Sequence, residues 1–427
     1  LLSTDVLHAA TDKPVLVGFS GGLDSTVLLH LLANDPARKP DALRTLHVHH
    51  GLQPAADEWA QHCQQVAQQW AVPIDVVYVK VQTHSGMGIE AAARQARHQA
   101  FSQHLLPNHW LALAHHLDDQ AETFLLRALR GSGIDGLAAM RPLRPLGSGQ
   151  LWRPLLNIPR ARLERYANYH KLTWIDDPSN SSLAFERNVL RHQIMPLLAQ
   201  RWPHAAANFA RSADLVAQSA QLLSVHDARA LHDCLNVDGS LAVAALQRYS
   251  AAQQARLLRL WIQQRQLPPL PAQGVVHVCA LLVSPPCDRQ PAFYWQNAFI
   301  RFWRGNLYAY LALPPWPPHW QTCWDGRTAL TLPDGGVLNL QGADRFDQTL
   351  TVRSRRGGER IQLPGRTHSH TLKHCLQMSS IPPWSRDHLP LLCEDNGNVL
   401  AAGDHIISAP LALWLTQHHA RLHWQPP

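Results

Sequence analysis

Residues 20–25 read Ser-Gly-Gly-Leu-Asp-Ser and lie between the apolar runs "VLVGF" and "TVLLHLL". Two glycines let successive backbone N–H groups turn toward one concavity, and a helix N-terminus adds its positive dipole end there. Ser20 and Ser25 supply hydroxyl donors. This is the chemistry of a phosphate cradle. The Gly-Lys-Ser/Thr ending of the common nucleotide-binding loop is missing, and no Gly-Lys pair occurs anywhere in the chain. Asp24 cannot itself hold phosphate, but it can hold a Mg²⁺ that bridges phosphates. The structural alternative is a glycine-rich turn in which Asp24 and Ser25 cap a helix.

A second group of reactive side chains stands in "AHHLDDQAETFLL", residues 114–126. Asp119 and Glu122 are three apart and share one helical face. Asp-x-x-Glu is also close to a capping box, where acids at a helix start gain about 0.3–1 kcal/mol each. Together with Asp24, these acids are expected to gather at the carboxyl ends of strands, share Mg²⁺ and orient the attacking groups. His115 and His116 are expected to pack or hydrogen-bond at a strand end, because a hard cation prefers oxygen ligands. "GSGIDG" at 131–136 fits Gly-x-Gly-x-x-Gly but follows a helix, so it is read as a turn and not as a dinucleotide site.

The elements that must position these groups alternate. Up to about residue 200, the runs "VLVGF", "LRTLHVHH", "IDVVYVKV" and "WLALAHH" read as strands, and "AADEWAQHCQQVAQQW" and "GIEAAARQARHQAFSQHL" as helices. That order implies a parallel sheet covered on both faces, with ligands at the carboxyl ends of its strands. The spacing places a strand end at Phe19 with a helix from near Thr26, and a second strand end at His115-His116 with a helix from near Asp118. Residues 205–270 keep apolar positions at helical spacing. "AFIRFWRGNLYAYLA" reads as a hairpin and the proline-rich "LPPWPPHW" at 313–320 as a linker.

The 427 residues carry a formal net charge of +7, and only five of the 38 basic residues are lysine. Arginine favours bidentate contacts with phosphates and base edges. Eight arginines fall between 127 and 165, against Asp135 and Glu164. That basic stripe suits an RNA backbone, and "RSRRGGER" at 353–360 forms a second patch. Seven scattered cysteines without a Cys-x-x-Cys argue for a reducing compartment. The N-terminal "LLSTDVLHAATDKP" has no basic region of the signal-peptide kind, and no run is apolar enough to span a bilayer. The expectation is a soluble cytoplasmic protein with no membrane partner.

"SGGLDS" resembles the pyrophosphate-binding loop of the N-type ATP pyrophosphatases, the PP-loop superfamily. With "HVHHGL", "GIEAAARQARH", "AHHLDDQAETFLLRALRGSGIDGLAAM", "RPLLNIPRARLERYA", "DDPSNSSLAFERNVLRHQIMPLL" and "LKHCLQMSSIPPWSRDHLPLLCEDNGNVLAAGDHI", nearly the whole chain is similar to the tRNA(Ile)-lysidine synthetases. One departure is Ser182, at a position that is usually acidic in that family. The resemblance implies a Rossmann-like α/β catalytic domain over residues 1–204 and a mainly helical tRNA-binding domain over 205–312. A linker with a hairpin at 313–345 and a small α+β C-terminal domain at 346–427 follow. It implies ligation of L-lysine to C2 of the first-anticodon-position cytidine of a tRNA(Ile) with a CAU anticodon, through an adenylated base, with ATP and Mg²⁺. Ser20, Gly21, Gly22, Leu23, Asp24 and Ser25 would hold ATP. Asp24 and Asp119 would hold Mg²⁺. Glu122 would orient the base, the lysine amine or the metal. Arg94, Arg97, Arg127, Arg130, Arg187, Asn188 and Arg191 would bind the substrate or the tRNA, with Arg94 and Arg97 near ATP or the target base. A homodimer stands open beside a monomer. The rivals are another adenylating tRNA-modifying enzyme and a non-catalytic tRNA-binding protein. Amidotransferase-linked synthetases would need a glutaminase unit, and thiolation enzymes would show cysteine pairs.

Overall fold

The computed structural model describes residues 10, 12–81, 89–283, 291–379 and 381–426. The N-terminal segment and Cys287 considered above lie outside the described residues, apart from Ala10 and residues 12–14. The chain divides into two compact units, Leu1–His226 and Asp227–Pro427. The division falls inside one continuous helix rather than at residue 204.

The first unit is built on a six-stranded sheet in the order β3-β2-β1-β4-β6-β5. The strands are β1 (Val15–Gly18), β2 (Leu43–His49), β3 (Ile74–Tyr78), β4 (Trp110–Ala112), β5 (Leu143–Leu146) and β6 (Gly149–Trp152). All neighbours pair in parallel except β5, which folds back on β6 as an antiparallel edge. The parallel sheet expected from the alternating pattern is therefore extended by a hairpin. Strand alternation sorts the core into two layers. Val15 and Val17 join a cluster with Leu28, Leu29, Leu32 and Leu163. Leu16 joins Leu46, Ala100, Phe101 and Leu111 on the opposite face. The covering helices are α1 (Leu23–Ala33), α2 (Ala56–Gln69), α3 (Ile89–His104), α4 (Leu117–Leu129) and α5 (Arg160–Tyr169).

Strand order reverses between β1 and β4, whose Val17 and Ala112 are direct partners. The loops leaving these two strands are thus neighbours at the switch point, where open α/β sheets bind ligands. Farther along, α6 (Glu186–Val189) passes through a π-turn at Leu190–Ile194 into α7 (Met195–Arg201). The long helix α8 (Ala205–Cys234) follows and runs through the division between the units.

The second unit opens with more strand than helical periodicity suggested. Helices α9 (Ala251–Gln264) and α10 (Ala272–Val283) share a core with a four-stranded sheet ordered β7-β10-β9-β8. Its strands are β7 (Leu241–Ala242), β8 (Ala292–Trp295), β9 (Ala298–Trp303) and β10 (Asn306–Leu311). The β9–β10 turn places both Arg304 and Gly305 at positive φ, the two-residue geometry that matches strand twist. The proline-rich segment 313–320 has no helix or strand, yet it is not loose. Trp316 and Trp320 pack on the C-terminal core, and Trp316 donates to Asp334 at 2.7 Å. That core joins a five-stranded sheet with α11 (Leu372–Met378) and α12 (Ala409–Gln417). Among the described residues every cysteine is free, and no helix is long and apolar enough to cross a membrane.

Candidate active site

β1 ends at Gly18 and α1 begins at Leu23, so Asp24 and Ser25 lie inside the first helical turn, earlier than the sequence placed them. The N-cap is Gly22, which has no side chain to fold back on the first-turn N–H groups. Those donors, with their dipole, suit an anion. The loop is held from within. Ser25 Oγ donates to the Gly22 carbonyl at 2.9 Å and sits 3.0 Å from Ser20 Oγ. Gly21 adopts φ +79°, and a Cβ there would lie 2.6 Å from Ile175 Cδ1 and 2.8 Å from Cys63 Sγ. Only glycine fits. Ile175 N–H donates to the Gly21 carbonyl at 2.9 Å and ties the loop to the segment before Asp176.

Asp24 points one oxygen, Oδ2, toward His116 Nε2 at 3.6 Å. Its Oδ1 is buried without a hydrogen-bond partner among the described residues. Burial raises the Asp24 pKa, His116 opposes the rise, and the Asp119 charge adds to it. An orphaned carboxylate oxygen beside a phosphate cradle is what a bridging cation needs. Among the described residues no group of three or more His, Cys, Asp or Glu could by itself enclose a metal.

β4 ends at Ala112, three residues before the His-His pair, and α4 begins at Leu117. The capping pair is His116 with Asp119, not Asp119 with Glu122. His116 is the N-cap, and the Asp119 carboxylate accepts its N–H at 3.0 Å. The His116 ring is buried among three carboxylates, with Nε2 3.5 Å from Asp119 and Nδ1 3.6 Å from Asp118. Burial opposes a charge on this imidazole, but the hydrogen bond to Asp118 and the charges of Asp119 and Asp24 outweigh it and raise its pKa. Asp118 in turn accepts the Arg160 N–H at 2.8 Å, which anchors the start of α5.

Asp119 and Glu122 do share a helical face, and two arginines occupy it. Arg187 reaches Asp119 and Glu122, each at 2.7 Å. Arg191 reaches Glu122 at 2.7 Å and Asp119 at 2.9 Å. Burial favours the neutral form of Asp119, yet His116, Arg187, His115 and Arg191 hold its pKa well below the carboxylate range. Both Asp119 oxygens are therefore engaged, one by two guanidinium groups and one by the His116 N–H. Asp119, expected to share a metal with Asp24, meets Arg187, Arg191 and the His116 N–H here.

A cavity of about 560 Å³ opens over the loop. Ser20, Asp24, Arg97, His115, Asp176 and Arg191 are among its lining residues, whereas Asp119, Glu122 and Arg187 are not. Glu122 thus stands behind Arg191 and does not face the cavity. His115, expected to pack or hydrogen-bond at a strand end, accepts from Arg153 Nε at Nδ1, 3.2 Å away. Burial, reinforced by Arg153, Arg187 and Arg97 against the pull of Asp119, pushes its pKa down to about 3. Arginine can only donate, so the ring is neutral with its proton on Nε2.

The remaining candidates separate. Arg94 and Arg97 lie exposed on α3, and Arg97 lines the cavity. Arg127 donates to the Gly136 and Ala139 carbonyls, at 2.6 and 3.0 Å, and pins the "GSGIDG" turn. Arg130 pairs with Glu186. Asn188 donates to the carbonyls of Ser179 and Ser182, both at 2.9 Å. Arg127 and Asn188 therefore hold the protein's own backbone. Ser182 contributes a main-chain oxygen that any residue would supply, so its departure from an acidic side chain leaves this contact intact. The basic stripe is likewise divided: Arg153 is buried and Arg160 pairs with Glu164, while Arg162 and Arg165 are exposed.

Three segments match known families: residues 3–198 a PP-loop domain, 241–308 a TilS substrate binding domain and 350–424 a TilS substrate C-terminal domain. Curated relatives are similar along their whole length. A tRNA(Ile)-lysidine synthase of Xanthomonas campestris pv. campestris (strain 8004) is 53% identical over 422 residues, 98% of this chain and 97% of that protein. One of Xylella fastidiosa (strain 9a5c) is 52% identical, covering 96% and 95%. One of Serratia proteamaculans (strain 568) is 41% identical, covering 97% and 96%. With a phosphate loop, its acidic partner and the substrate-binding segments in one chain, this protein belongs to the tRNA(Ile)-lysidine synthase family.

Proposed function

We propose that this chain ligates L-lysine to C2 of the first-anticodon-position cytidine of tRNA(Ile), at the expense of ATP, in the cavity over the Ser20–Ser25 loop. The observation that carries the reading is the pairing of an uncapped helix start with the unpartnered Asp24 Oδ1. The cavity wall that holds Asp24 also carries Arg97, Arg191 and the neutral His115.

The loop N–H groups and the two serine hydroxyls bind the β and γ phosphates, which leave as pyrophosphate. Asp24 would hold Mg²⁺, which supplies charge compensation on the phosphates. The cytidine carbonyl oxygen attacks the α-phosphorus, and the adenylated oxygen then becomes a good leaving group. The lysine ε-amine attacks C2 and AMP departs. Arg191 reaches the cavity to stabilise phosphate charge, and Arg187, Asp119 and Glu122 fix its position. Glu122 is a positioning residue in this account. His115 offers its Nε2–H to an accepting oxygen. L-lysine as amine donor, a tRNA with a CAU anticodon and a cytoplasmic location belong to the reading. So does a homodimer, which light scattering tests at twice the 47.8 kDa chain mass.

The direct test incubates the purified chain with ATP, Mg²⁺, radiolabelled lysine and tRNA(Ile) bearing CAU. Label is expected in the tRNA in step with AMP release. Lysine-dependent AMP release with no label in any tRNA contradicts the reading.

A further inference from the structure

The motif "IPPWSRDHLP" plays no part in the chemistry above. In the second unit it forms a clamp. Trp384 sets its ring 5.4 Å from Tyr308, 6.0 Å from Trp303 and 6.4 Å from Phe299, all on the β9–β10 hairpin. Arg301 lies over the same Trp384 ring at 5.3 Å. Arg386 Nε donates to the Ile381 carbonyl at 2.9 Å and closes the clamp on itself. Between hairpin, clamp and α11 lies a pocket of about 360 Å³.

Its walls are cationic. Arg304 lies over the Trp303 ring at 4.8 Å, and its NH2 donates to the Gln377 carbonyl at 3.2 Å. The guanidinium is thus held against the indole at the pocket wall. Arg386, His374 and Gln377 complete the polar lining, and among the described residues no acidic one belongs to it. Burial and the charges of Arg355 and Arg304 lower the Arg386 pKa, and Asp387 opposes them. The walls come from both segments that match substrate domains: Trp303 and Arg304 from 241–308, His374, Gln377 and Arg386 from 350–424.

A guanidinium is planar, so one held over an indole offers a stacking platform, and neighbouring arginines bind phosphate. Base-paired stems expose phosphates but no base faces. We propose that this pocket takes one unpaired nucleotide of the tRNA, with its base stacked on Arg304 and its phosphate against Arg386. The proposal deepens the tRNA reading and rests on it. It concerns binding alone.

The test measures binding of tRNA(Ile) to the full chain, without ATP or lysine, across a salt series. Arg304→Lys keeps the charge and removes the flat surface. It is expected to weaken binding about tenfold with an unchanged salt slope, in line with the loss of one stacked base. Arg386→Ala is expected to weaken binding and lower the salt slope by about one. A single-stranded RNA oligonucleotide should compete better against wild type than against Arg304→Lys, and a duplex of equal length should compete equally against both. Arg304→Lys binding like wild type, or duplex competition that falls with it, overturns the stacking site. Displacement of tRNA by AMP from the wild type but not from Arg304→Lys would assign the pocket to a free nucleotide and also overturn it. Melting curves exclude misfolding. A chain that binds tRNA through this pocket but never incorporates lysine would sink the proposed reaction and leave the pocket standing.

Discussion

Arg191 holds Glu122 at 2.7 Å from behind while its own side chain lines the cavity. The carboxylate is almost fully buried and has Arg187 as a second partner at 2.7 Å. Removing one member of such a buried network leaves the others uncompensated, at about 3–5 kcal/mol. Glu122→Ala is therefore expected to lower unfolding stability by roughly that amount, measured by urea titration. Glu122→Gln should keep more of the fold and still lose pyrophosphate release, because Arg191 is no longer fixed. Normal pyrophosphate release by a folded Glu122→Gln would remove the positioning role.

Asp24→Asn keeps the size of the side chain and removes its charge. ATP-dependent pyrophosphate release is expected to fall by about a hundredfold or more, the order seen when one charge-stabilising group is lost. The Mg²⁺ concentration for half-maximal rate should rise while tRNA binding stays unchanged. An unaltered Mg²⁺ dependence would show that Asp24 does not hold the cation.

His115 gives a pH dependence whose sign can be worked out. Its pKa in the folded chain is pushed down to about 3, against 6.5 for the free side chain. Between these values the unfolded chain binds the extra proton and the folded chain does not, so this residue makes stability fall as pH drops below 6.5. One proton corresponds to at most about 1.4 kcal/mol per pH unit. His115→Gln should flatten the stability profile between pH 6 and 4. Equal slopes in wild type and variant would contradict a neutral, buried His115.

Gly21 in the phosphate loop and Gly51 after β2 separate packing from backbone conformation. Both have positive φ, but a Cβ at Gly51 would meet nothing within 4 Å, whereas at Gly21 it would meet Ile175 and Cys63. Gly51→Ala should carry only the left-handed penalty of about 1–2 kcal/mol. Gly21→Ala should cost more and weaken ATP binding, and adding Cys63→Ala should recover part of the loss. Equal melting temperatures for the two single variants would show that the packing under Gly21 does not matter.

How much of this was legible in the sequence depended on how local each feature is. The phosphate loop and the Asp119–Glu122 face follow from short-range spacing, and both lie at the carboxyl ends of strands as the β–α alternation required. The arginines that grip Asp119 and Glu122 come from 65 to 72 positions away. No periodicity reports which carboxylate they meet. Their joint reach also involves the π-turn at Leu190–Ile194, a backbone feature without a composition signal. The backbone bonds of Arg127 and Asn188 were not legible either, because charge and polarity on a helix do not say whether a carbonyl of the same chain lies opposite. Of the four-stranded sheet in the second unit, the β9–β10 hairpin was legible, while β7 is only two residues long and β8 only four, too short for a clear alternation. His116 carried a usable signal: a His directly before Leu-Asp-Asp at a helix start is placed to act as N-cap and to meet both acids.

The central claim is that the base oxygen is adenylated and leaves with AMP while the loop releases pyrophosphate. Label the C2 carbonyl oxygen of the anticodon cytidine with ¹⁸O, run one turnover with ATP and lysine, and weigh the products. The account predicts ¹⁸O in AMP, none in pyrophosphate and none left on the modified base. Label in pyrophosphate, or AMP without label alongside lysine-bearing tRNA, would contradict it.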